Sequence, residues 1–114
     1  MLTSCLNINT LLQIHKMLIK IHNSYRQIVA ICDSDLLGKT FEQGNRILDV
    51  RESFYNGEEK SELELIELME NLAREDATFN IIGKQSVQAA VKAGIISKEG
   101  IKKVSNIPFA LVLM

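Results

Sequence analysis

From Met17 onward, apolar and polar residues alternate. In Met17–Ser24, Ile19 and Ile21 fall on one side while Lys20 and His22 fall on the other, the period of two of a half-buried strand. Asn23-Ser24 is a turn signal, and the following segment RQIVAICD resumes a β-branched run, so the two stretches predict a hairpin. RILDV, with Ile47, Leu48 and Val50, is a third strand candidate, and Asn56-Gly57 marks another turn. The period then lengthens. Ser61 and Glu64 form an S-x-x-E capping box, and Leu65, Ile66, Met69, Leu72 and Ala73 make one apolar stripe with glutamates opposite, which predicts a helix over 61–75. Residues 77–82 fit either a helical turn or a strand. Residues 84–93 read as a second helix, with Val87, Ala90 and Val91 inward and Gly94 as its stop. Ile107–Met114 is an apolar run with Pro108 near its start, which suits an edge or the first residues of a strand.

These elements add up to an α+β fold: a small mixed or antiparallel sheet of about four strands, with two main helices packed on one face. A chain of 114 residues fits one domain with an ordinary core. Residues 1–16 break the pattern, mixing Asn, Thr and Ser with scattered Leu and Ile. They lack the basic start and compact apolar centre of a secretory signal. The expectation is an appendage outside the fold, with 17–114 as the single domain; the alternative is a short helix covering an apolar patch. No run of about 20 apolar residues is present to span a membrane. Cys5 and Cys32, unclustered, read as reduced thiols of an intracellular protein.

Charge is nearly balanced overall but not along the chain. Residues 51–80 carry nine acidic and three basic side chains, a net of −6; residues 81–114 carry Lys84, Lys92, Lys98, Lys102 and Lys103 against Glu99 alone, a net of +4. Clustered lysines raise the local potential and attract phosphates. The competing explanation is that they are solvated faces of helices and loops. Gly38-Lys39-Thr40 looks like the end of a phosphate-binding loop, but the first glycine of that loop would fall at position 33, which is Asp33, so no nucleotide site is expected and Gly38 reads as a local turn residue. Asp33 and Asp35 form a carboxylate pair better explained as capping a helical turn than as acid–base machinery. His15, His22, Cys5 and Cys32 lack zinc spacing. No nucleophile elbow is present, and no metal or other cofactor is expected. Tyr55 beside the Asn56-Gly57 turn is either an exposed ring able to stack on a base or a residue half-covering the sheet, with Phe54 plugging the core.

Asp33, Leu36-Leu37-Gly38-Lys39, Phe41, Gly44, Leu48, Val50, Phe54-Tyr55 and Gly57, followed by Asn80-Ile81-Ile82-Gly83, Val87, Ala90 and Gly94-Ile95-Ile96, resemble the Domain of Unknown Function 424 family over roughly residues 17–114. These motifs are specific as a set and individually weak. The chain departs from the family pattern after Pro108, where Phe109-Ala110-Leu111 stand in place of His-Ala-Gln. The resemblance implies a small, archaeal, cytoplasmic α+β domain of unknown activity, with a loose association with RNA and translation. The functional expectation is therefore non-catalytic binding of RNA or a ribosomal particle through Lys84, Lys92, Lys98, Lys102, Lys103, Lys39 and Tyr55. Two alternatives stand beside it: an adaptor that meets a protein partner through the acidic helix 61–75, and a small-molecule enzyme with a site near Asp33, Lys39 and Tyr55.

Overall fold

The computed structural model describes residues 16–113. The expected extension falls on residues 1–15, outside the described residues, except for Lys16. Lys16 belongs to the fold: its carbonyl accepts the Ser34 N–H, and its ammonium lies 3.3 Å from Glu59.

The architecture is α+β. The expectation of about four strands is too low. A mixed sheet holds six, in the order β5-β1-β2-β6-β8-β7, and β3 with β4 forms a separate two-stranded sheet. The strands are β1 (Met17–Asn23), β2 (Gln27–Asp33), β3 (Thr40–Gln43), β4 (Arg46–Asp49), β5 (Glu58–Lys60), β6 (Thr78–Ile82), β7 (Lys102–Val104) and β8 (Ile107–Leu113). The helices are α1 (Glu52–Tyr55), α2 (Glu62–Ala73) and α3 (Lys84–Lys92). The β1–β2 hairpin has the expected pairing, with Ile19 opposite Ile31 and Ile21 opposite Val29. β2 and β6 form the sheet's parallel pair. The segment 77–82 is thus a strand. RILDV is also a strand, but it lies in the small sheet with β3 rather than in the main one.

Strand alternation divides the core into two layers. Met17, Ile19, Val29, Ile31, Phe79 and Ile81 face the two main helices and meet Leu65, Met69 and Leu72 of α2 and Val87, Ala89 and Ala90 of α3. Leu18, Ala30, Cys32, Ile82 and Val104 face the other way and pack beneath Leu36, Leu48, Val50 and Tyr55. Phe79, Met17, Ile31, Leu65 and Met69 are fully buried. Full burial of each such side chain stabilises the fold by about 1.5–3 kcal/mol. The capping box forms as read: the Glu64 N–H donates to Ser61 Oγ, and the Ser61 N–H donates to Glu64 Oε1.

Asp33 caps a helix, but not the turn that follows it. Its carboxylate crosses to α3, where Oδ2 accepts the Gln85 N–H at 3.0 Å and Oδ1 accepts the Ser86 N–H at 2.8 Å and the Ser86 hydroxyl at 2.7 Å. Two of these donors are backbone N–H groups that a helix start leaves orphaned. Gly83 at the helix entrance has φ +115°, and a Cβ there would drive into the Asp33 carboxylate. Burial raises the Asp33 carboxyl above its ordinary pKa, while its bonds to Ser86 and Gln85 oppose that shift.

Asp33→Ala would leave those buried donors unpaired, at a cost of roughly 2–4 kcal/mol. Gly83→Ala is expected to cost about 2 kcal/mol or more from its backbone conformation and the collision. Urea unfolding of both single variants and the double should be markedly less than additive, because removing the carboxyl removes what the new methyl strikes. Strict additivity would show that the two residues do not press on one another. The capping box gives a pH test. Hydrogen bonds from the Ser61 backbone and side chain hold the Glu64 carboxyl below its ordinary value. Its stabilising effect is therefore present above the unfolded-state value of about 4.3 and is lost as pH falls through the lower folded value. The difference in urea midpoint between the native chain and Glu64→Ala should shrink as the pH is taken from 6 to 3, and a constant difference would contradict this origin.

Candidate nucleic-acid interface

One face of α3 starts the site. Lys84, Val87, Gln88 and Val91 are spaced i, i+3, i+4, i+7, so they form one stripe along the helix. The helix stops at Gly94, and the chain returns through the 3₁₀ turn Lys98–Gly100 into β7. Along β7, Val104 points into the layer under Tyr55, so alternation turns Lys103 toward α3 and Lys102 away from it. Lys103 pairs with Pro108 of β8. The result is a groove of about 510 Å³ lined by Lys84, Val87, Gln88, Val91, Lys98, Ile101, Lys103 and Pro108. Its floor is aliphatic and three ammonium groups stand around it. Val91, read from the sequence as inward, is part of this floor and only partly buried.

The structure therefore divides the lysines named from the sequence. Lys84, Lys98 and Lys103 converge and make no ion pair among the described residues. Lys92 does not join them; one step off the stripe, it reaches α2 and lies 3.0 Å from Glu62. Lys102 and Lys39 are exposed on the opposite side, near the small sheet. Tyr55 does not fit the stacking role. It is 6% exposed and sealed in the second layer, where its ring meets Phe54 edge-on at 5.0 Å and burial pushes its phenol above the usual value. Phe54 is the less buried of the two, stacked on His22 at 4.5 Å with His22 Nε2 donating to its carbonyl oxygen. The two roles expected for this pair are thus exchanged. The fully exposed aromatic is Tyr25, at the β1–β2 turn, far from Pro108 along the sheet.

Asp33, Cys32 and Gly38 are hydrogen-bonded or buried within the fold. The Asp33 oxygens are occupied by α3. Cys32 beside it is buried, with its thiol pushed up to about 12 by burial and the neighbouring Asp33 and Asp35. Gly38 has φ +82°, and its N–H donates to the Val50 carbonyl at 2.7 Å, while the Lys39 N–H donates to Leu36. These amides hold a local turn, as expected of Gly38, rather than lining an open loop. Among the described residues, no group of three or more His, Cys, Asp or Glu is placed to hold a metal ion. No helix among them is long and apolar enough to cross a membrane.

Three strands escaped the sequence reading: β3, β5 and β7. β3 begins at Thr40, inside the triplet that suggested a phosphate loop; the two residues Gly44-Asn45 between β3 and β4 were a usable hairpin signal. β7 is joined to β8 by Ser105-Asn106, both with positive φ, a two-residue turn without the glycine that usually announces it.

No curated protein matches the chain. A solved structure described as an uncharacterized conserved protein from Methanopyrus kandleri has a TM-score of 0.77 with it at 24% identity, covering 86% of this chain and 92% of that one. That likeness shows the shared fold. The family model described as "Protein of unknown function (DUF424)" matches residues 21–114, which is most of the chain, and on that match the chain belongs to the DUF424 family.

Proposed function

We propose that this protein binds RNA, free or within a ribonucleoprotein such as a ribosomal particle, without catalysing a reaction on it. One observation carries the reading: three ammonium groups with no acidic partner among the described residues, Lys84, Lys98 and Lys103, surround one groove. An anionic ligand supplies the charge they lack. The neighbouring Lys92 is already neutralised by Glu62. Two of the N–H groups at the start of α3, those of Gln85 and Ser86, are already taken by Asp33, and the lysine side chains are the cationic contacts. Such binding depends strongly on salt.

A second reading, adaptor binding through α2, is favoured by Leu63. It is 79% exposed on that helix, and Glu67 and Glu70 follow it at i+4 and i+7 on the same face.

Cosedimentation of the full chain with ribosomal particles over a salt series separates these. The triple variant Lys84→Gln, Lys98→Gln, Lys103→Gln is expected to release the protein at moderate salt and to reduce the salt slope by about two to three units. Lys39→Gln with Lys102→Gln, on the far side, should leave association within about twofold. Leu63→Ser, Glu67→Gln, Glu70→Gln should not affect it; release by that variant instead would favour the adaptor. Absence of association, or indifference to the groove variant, would overturn the RNA reading.

A further inference from the structure

Phosphate alone does not account for the groove's floor. Val91, Ile101 and Pro108 offer aliphatic surface between the three lysines, and an all-anionic ligand gains nothing from covering it. The complementary ligand joins negative charge to a flat apolar body. RNA has such a body only where a base is unstacked, because in an A-form duplex the base faces are hidden and the phosphates and sugars are what a protein meets. The size agrees: about 510 Å³ is in the range of small-molecule sites, roughly 300–1,000 Å³, and suits one or two nucleotides rather than a helix. Gln88 at the rim adds an amide with both donor and acceptor for a base edge.

Resting on the RNA reading above, we infer that the groove takes single-stranded RNA, one splayed base lying on Val91, Ile101 and Pro108 while flanking phosphates meet Lys84, Lys98 and Lys103. Val91 and Ile101 are only partly buried, so their exposed faces are available to the ligand.

Fluorescence anisotropy of the full chain tests this with three labelled probes of equal phosphate number: a single-stranded oligoribonucleotide, a blunt duplex, and a strand whose bases are replaced by abasic sites. The single strand should bind at least fivefold tighter than either of the others, a difference of about 1 kcal/mol, the scale of covering roughly 40 Å² of apolar surface. Val91→Asn should erase that preference while leaving affinity for the abasic strand and the thermal midpoint nearly unchanged. Equal affinity for the abasic strand or the duplex, with binding still lost in the Lys84, Lys98, Lys103 triple variant, would overturn the base-in-groove inference and leave the RNA reading standing. Loss of binding to every probe would overturn both. Displacement of the single strand by an acidic, leucine-containing peptide of higher affinity would assign the groove to a protein partner and overturn both as well.

Discussion

The contact between Asp33 and the start of α3 fixes the relation on which the rest depends. Asp33 ends β2, and α3 begins just after β6, the parallel neighbour of β2. A carboxylate here meets the positive end of the helix and takes two backbone donors and one hydroxyl, the two from Ser86 shielded from water. Gly83 gives the carboxylate room, and the Gly83 N–H donates in turn to the Pro108 carbonyl of β8. Three strand ends and one helix end are thereby held in register. One wall of the lysine groove is α3 and another side is Pro108, so the shape of the groove follows from an interaction none of its cations make.

How much of this was legible depends on the range of the signal. The capping box of α2, the β1–β2 hairpin and the apolar stripe of α2 are written in residues a few positions apart, and they formed as read. Asp33 was legible as a capping residue but not as the cap of α3, because its partners lie 52 and 53 residues away. β5 has the sequence Glu58-Glu59-Lys60, with no apolar alternation to find; it pairs because it lies beside β1, not because of its own preference. The lysines were visible as a group, but their sorting was not. Strand parity separates Lys103 from Lys102, and the packing of α2 against α3 neutralises Lys92. Neither can be read before the topology is known. Tyr55 shows the opposite error: its place beside a turn suggested exposure, yet the covering small sheet buries it.

The charge asymmetry along the chain becomes an asymmetry across one face. α2, rich in glutamate, and α3, bordered by lysines, pack side by side over the same layer of the sheet. At their seam Glu62 and Lys92 meet and cancel. An exposed pair of this kind adds at most about 1 kcal/mol to stability. Its larger effect is on the field, because it removes charge midway between the acidic surface and the groove and leaves the two potentials distinct. Exposed charges such as these act within a screening length of about 8 Å in physiological salt.

Both edges of the six-stranded sheet end in three-residue strands, Glu58–Lys60 on one side and Lys102–Val104 on the other. Five of these six residues are charged. An open sheet edge is a template on which a neighbouring chain can add a strand, and the risk grows with the length and greasiness of that edge. Here an incoming strand would find only a short ladder, and it would have to bring its own chain against ammonium or carboxylate groups. The weak intrinsic strand preference of these segments, which hid them from the sequence, thus has a consequence in the folded protein: it makes both edges poor templates for a further strand.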